Sequence, residues 1–138
     1  MMNRTYIVNQ LSERHFQDLM NLYNEASWTK TRTSDQVREM INNSYIFGLC
    51  DSESDQLIGF TRVLTDYVFR ATIYDVIVLK QFQGEGFGRL LIEAVVNSTL
   101  IKGIERVDLF CADNKVMFYE KWGFKQVPIT TNYMSLIK

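Results

Sequence analysis

One stretch constrains this chain more than any other. An apolar run, Ile73-Tyr74-Asp75-Val76-Ile77-Val78-Leu79, leads through Gln83-Gly84-Glu85-Gly86-Phe87-Gly88-Arg89 into an apolar stripe at Phe87, Leu90, Leu91, Ala94 and Val95. A run broken only at Asp75 reads as a strand buried on both faces. The stripe has the spacing of an amphipathic helix. Glycines between the two permit a tight turn with positive φ. The first N–H groups of a helix are unpaired and its N-terminus carries partial positive charge, so this arrangement suits an anion, and a pyrophosphate in particular. It is not a dinucleotide fingerprint, because Gly84, Gly86 and Gly88 give G-x-G-x-G instead of G-x-G-x-x-G. It is not a Walker loop either, since no Lys-Ser pair follows the glycines.

The rest of the chain supplies elements around that segment. Thr5-Tyr6-Ile7-Val8 reads as a strand. Ser12 can cap a helix whose apolar face is Phe16, Leu19, Met20 and Tyr23. Thr33 and Gln36 match a capping box that opens a shorter helix with Val37, Met40 and Ile41 on one face. Strands are expected at 45–50, 57–64, 73–79 and 105–112, and a short helix at 115–122 stopped by Gly123. Two more strands, 124–127 and 133–137, close the chain. The order β-α-α-β-β-β-α-β-α-β-β implies an α+β or mixed α/β sandwich around a mixed sheet.

Composition narrows the functions. The chain has 138 residues, enough for one core, with 46% hydrophobic and 22% charged residues. A net charge of −1 gives no basic footprint for nucleic acid. No apolar run nears the ~20 residues needed to cross a bilayer. Cys50 and Cys111 form no CxxC pair, and a single histidine, His15, excludes a histidine-rich metal site, so no metal is expected. The N-terminal residues lack the pattern of a secretory signal, and the expectation is a cytoplasmic protein with reduced thiols.

Gln83-x-x-Gly86-x-Gly88 resembles the [Q/R]-x-x-G-x-[G/A] coenzyme A loop of the GNAT superfamily of N-acetyltransferases, which lies between that family's fourth strand and third helix. The segment Asn114-Lys115-Val116-Met117-Phe118-Tyr119-Glu120-Lys121-Trp122-Gly123-Phe124 resembles the family's N-x-x-x-x-x-Y-x-x-x-G-F block. The resemblance implies one domain over residues 1–138. Its fold would have a central mixed, mostly antiparallel sheet of about seven strands with four helices. It further implies acetyl-CoA as co-substrate, a small-molecule or peptide amine as acceptor, and a homodimer as an option. A catalytically inactive CoA-binding or ligand-sensing module on the same fold is the alternative.

Residue by residue, the resemblance assigns the pyrophosphate to the backbone of Gln83, Gly84, Glu85, Gly86, Phe87, Gly88 and Arg89. The pantetheine would pair with the backbone of Val76, Ile77 and Val78, as an added strand does. Asn114 matches a position that touches the pantetheine, and Phe118 would pack near it. Tyr119 matches the position that protonates the departing thiolate, and a phenol of pKa near 10 suits that task. A backbone N–H near Val78 would hold the oxyanion.

An alkyl ammonium must lose a proton before it can attack. Asp75, a carboxylate in an apolar strand whose pKa desolvation would raise, is the base candidate. Alternation places it on the face opposite Val78, where it could equally be a structural acceptor. Asp66 and Glu25 are weaker options. The acceptor side would comprise the segment 28–32 and the hairpin 65–71. Trp28, Tyr67 and Phe69 could form an aromatic wall and Asp66 could attract a cationic amine, while Arg32 and Arg62 could instead favour an acidic acceptor.

Overall fold

The structure is a computed structural model that describes residues 4–128 and 130–138. In chain order its elements are β1 (Thr5–Val8), α1 (Glu13–Glu25), α2 (Ser34–Asn42), β2 (Tyr45–Asp51), β3 (Leu57–Thr65), β4 (Arg70–Val78), α3 (Phe87–Val96), α4 (Thr99–Lys102), β5 (Arg106–Leu109) and α5 (Val116–Glu120). One sheet carries the strands in the order β1-β2-β3-β4-β5. The first three pairings are antiparallel, and β4 and β5 are parallel with α3 crossing between them.

Local signals set the helix starts. Ser12 Oγ accepts from the His15 N–H at 3.1 Å and opens α1. Thr33 and Gln36 form the full capping box of α2. Each cap is worth about 1 kcal/mol. Period-two alternation then sorts β2 between two layers. Ile46 and Cys50 join Phe16, Leu19, Tyr23 and Val37 under α1 and α2. Phe47 packs with Val95 of α3, and Leu49 packs with its Phe87 and Leu91. Fully burying an aliphatic side chain contributes roughly 1.5–3 kcal/mol, so these two layers hold the sheet.

The mixed, mostly antiparallel α+β architecture matches the expectation, but the count does not. Among the described residues there are five strands and five helices, where seven and four were expected. The added helix is the single turn α4. Neither 124–127 nor 133–137 forms a strand. A strand needs a partner and a covering layer, and here Tyr133 is 75% and Ile137 89% exposed. No described helix is long and apolar enough to cross a membrane.

The pairing of β4 with β5 is short. It runs from Arg70↔Arg106 to Ile73↔Leu109 and stops there, although β4 continues to Val78. The two strands therefore part, and the last residues of β4 present a free edge.

Candidate functional site

A groove of about 970 Å³ occupies the fork between β4 and β5. Its walls are residues 73–78 of β4, residues 109–112 from the last paired residue of β5 onward, the glycine turn, and Phe118 and Tyr119 of α5. Ala26 and Trp28, just beyond α1, close one end. The free edge of β4 supplies backbone donors and acceptors to this space. Gln83 Nε2 donates to the Val78 carbonyl at 2.9 Å and so marks the end of the edge.

The glycine turn faces the same groove. Gly84 and Gly86 have φ of 83° and 86°, and a Cβ on either would meet nothing within 4 Å. Their role is therefore conformational: only glycine takes this backbone at no steric cost, and it leaves the space before the turn open. Gly86 is the N-cap of α3 and makes no side-chain cap bond, so the first amides of α3 lack the usual capping partner. Such a helix start binds an anion. Arg89 lines the groove and pairs loosely with Glu93 at 3.4 Å.

Tyr119 is 9% exposed and lines the groove. Phe118 and Phe124 pack edge-on to its ring, with centroids at 5.0 and 6.2 Å. Among the described residues its hydroxyl makes no hydrogen bond. Burial raises its pKa and the neighbouring Cys111 thiol adds to the shift, so Tyr119 stays a proton donor.

Asp75 sits where β4 bulges. Tyr74 faces Arg62 and Ile77 faces Phe60, so Asp75 and Val76 together oppose Thr61. The Thr61 hydroxyl donates to the Tyr74 carbonyl at 2.8 Å, and Asp75 takes a φ of 56°. Its carboxylate, 5% exposed, accepts from Arg32 Nη1 at 2.6 Å, Arg62 Nε at 2.8 Å and the Tyr23 hydroxyl at 3.0 Å. Burial pushes this carboxyl up, but the bonds and charges of Arg32 and Arg62 outweigh it and leave the pKa below the ordinary value. Burial and the Asp75 charge push the Tyr23 hydroxyl up. The premise for a general base is thus reversed: Asp75 is enclosed, paired with two arginines through Oδ2, and held below the ordinary carboxyl pKa.

The structure brings the other expected residues together unevenly. Val76, Ile77, Val78, Gln83, Gly84, Gly86, Phe87, Gly88, Arg89, Phe118 and Tyr119 line one groove with Trp28. Asn114 stands exposed in the turn before α5 and Glu85 is exposed in the glycine turn, and neither lines it. The aromatic wall is not assembled. Tyr67 and Phe69 are 63% and 59% exposed, and their turn is bonded to the start of β5, at the paired end of β4. Asp66 holds that turn by accepting from the N–H groups of Arg70, Val68 and Phe69, which lower its pKa. Arg32 joins the Asp75 cluster. The sequence reading missed Tyr23 as a partner of Asp75. It also missed Glu25 as a tie, its Oε1 accepting from the Lys80 N–H at 2.9 Å. A charged residue in an apolar strand was the available signal that partners had to exist.

Known proteins resemble this chain in sequence and in fold. The sequence profile described as "Acetyltransferase (GNAT) domain" matches residues 8–134. The histone acetyltransferase TAP1 of Glycine max is 33% identical over 121 residues, 80% of this chain, and the chain covers 52% of that protein, about half its length. An uncharacterized ycf52-like N-acetyltransferase of Prochlorococcus marinus is 33% identical over 127 residues, covering 90% of this chain and 70% of that one. In fold, the chain superposes on a protein of Xanthomonas campestris placed in the GNAT family with a TM-score of 0.80. That match has 24% identity and covers 97% of this chain and 96% of that one. A parted β4–β5 fork, a glycine turn at its mouth and a match over nearly the whole length lead to one conclusion: this chain belongs to the GNAT family of acetyltransferases.

Proposed function

We propose that the chain transfers the acetyl group of acetyl-CoA to a primary amine by direct attack in a ternary complex. One observation carries the reading: the free edge of β4, the uncapped start of α3 and the Tyr119 ring line a single groove. The amides at the start of α3 would hold the pyrophosphate, with Arg89 beside them. Backbone groups of Val76, Ile77 and Val78 would hold the pantetheine as an added strand. That alignment sets the thioester against the α1–α2 segment, where Trp28 lines the end of the groove.

In the chemical step the amine lone pair attacks the thioester carbonyl. An N–H of the β4 edge near Val78 stabilises the oxyanion. The C–S bond then breaks, and Tyr119 gives its proton to the sulfur and regains one from solvent. The proton lost by the amine goes to water, because the Asp75 carboxylate is held by Arg32, Arg62 and Tyr23. The products are the acetylated amine and free CoA thiol. The soybean relative is named for histones, whose lysine side chains are primary amines, so lysine peptides belong in the first acceptor panel with small alkyl and arylalkyl amines.

The test is calorimetric titration with acetyl-CoA, followed by thiol release across that panel. Saturable 1:1 binding and amine-dependent thiol release are expected. Failure to bind acetyl-CoA ends the reading; binding without release on any primary amine removes the catalytic part.

A further inference from the structure

Three ligand-type side chains from separate parts of the chain converge away from the groove. His15 lies in the first turn of α1, Cys50 near the end of β2, and Asp55 in the β2–β3 loop. Their donor atoms all lie within 4.8 Å of one another. His15 Nε2 is 3.2 Å from Asp55 Oδ1 and 3.6 Å from Cys50 Sγ. Zinc bonds of about 2.0–2.1 Å to nitrogen or oxygen and about 2.3 Å to sulfur, at tetrahedral angles, set nitrogen and oxygen about 3.3 Å apart and nitrogen and sulfur about 3.5 Å apart. Two edges of the cluster therefore already have the lengths of such a tetrahedron. The third closes by rotation of Asp55, whose side chain is 48% exposed.

Three groups crowd one ring nitrogen in this cluster. His15 Nε2 carries at most one proton, yet it faces Asp55 Oδ1, Cys50 Sγ and the Asp55 carbonyl at 3.1 Å. Asp55 takes a φ of 60°, a left-handed turn conformation that aspartate tolerates, and in it both its carbonyl and its carboxylate turn toward the imidazole. The nearby Asp18 is already spent on the Leu57 N–H at 3.0 Å.

We propose that His15, Cys50 and Asp55 form a zinc site that clips the start of α1 to the β2–β3 hairpin. His15 binds through Nε2, Cys50 as thiolate and Asp55 as carboxylate, and the Asp55 carbonyl or a water completes the set. Zn²⁺ displaces the thiol proton to solvent, and the two anionic ligands neutralise the ion. The role is structural, because all three residues lie outside the acetyl-transfer groove.

The experiment titrates the metal-free 138-residue chain with Co²⁺ and then Zn²⁺. Cobalt should bind 1:1 with thiolate-to-metal absorption and the visible bands of a tetrahedral site, and zinc should displace it. Saturating zinc should raise the melting midpoint by several degrees, since it binds only the folded chain. Cys50→Ala should remove the thiolate absorption and Cys111→Ala should leave it. Absorption that is absent, survives Cys50→Ala or vanishes with Cys111→Ala overturns the site. Should Cys50→Ala fail to fold, Asp55→Ala on the exposed loop decides: cobalt affinity should fall at least tenfold, and unchanged affinity overturns the proposal.

Discussion

Arg62 Nε donates to Asp75 Oδ2 across 2.8 Å, from β3 to the bulge in β4. With Arg32 and Tyr23 on the same carboxylate, this contact ties the α1–α2 segment, β3 and β4 together beside the groove. The pair positions the bulge, and the two guanidinium groups lower the basicity of the carboxylate. Asp75→Asn should therefore destabilise the fold by about 3 kcal/mol, the usual effect of breaking an enclosed ion pair from one side. It should leave the apparent pKa of the acid limb of the pH–rate profile in place. Denaturant unfolding and the profile together check this, and a displaced acid limb would restore Asp75 as a base.

The same carboxylate fixes a pH dependence of stability. Its folded pKa lies below the ordinary value. Its stabilisation is therefore complete above the unfolded pKa of about 3.9 and is lost as pH falls through the lower folded value. Urea midpoints measured from pH 6 down to pH 2 should fall more steeply in the wild type than in Asp75→Asn, with the difference arising below about pH 4.

Tyr119→Phe should lower kcat by more than about tenfold while acetyl-CoA affinity stays similar, because the ring keeps its packing against Phe118 and Phe124. Paired calorimetry and steady-state kinetics make the test. Unchanged turnover would reduce Tyr119 to a packing residue.

Gly86→Ala and Gly86→Asp separate conformation from charge. Alanine has room but must adopt a φ of 86°, so it should cost about 1–2 kcal/mol of stability and weaken CoA binding in part. Aspartate adds negative charge at the anion site and should abolish binding. Equal affinities for the two variants would show that no pyrophosphate rests there.

Thiol reactivity should divide the two cysteines. Cys111 is exposed, whereas Cys50 is enclosed and its pKa is pushed up to about 11 by burial, with Asp18 nearby. A disulfide reagent at neutral pH should titrate one thiol promptly in the native protein and a second only on unfolding. Two prompt thiols would contradict the packing under α1.

Much of the frame was legible because its signals are local. Ser12, the Thr33–Gln36 box and the α3 stripe each fix an element within a few residues, and the glycines at 84 and 86 declared the turn. The bulge was not legible. Strict alternation cannot anticipate one extra residue between Tyr74 and Ile77, and that residue is what directs Asp75 toward two arginines. Those partners come from 43 and 13 residues away, a distance no spacing rule spans. The displaced pKa followed from them. The acceptor wall failed for a related reason: composition marked Tyr67 and Phe69 as aromatic, but the β3–β4 turn carries them to the opposite end of β4. The 133–137 segment has the residue types of a strand and lacks the cover to become one.

The fork beyond Ile73 and Leu109 also bears on how this protein should be handled. Exposed strand bonds attract any extended peptide, including a neighbouring molecule's, and so favour edge-to-edge association in concentrated solution. A thioester lying along β4 would occupy those same bonds. Purification and storage with CoA present should therefore keep the sample monodisperse at concentrations where the ligand-free chain begins to clump.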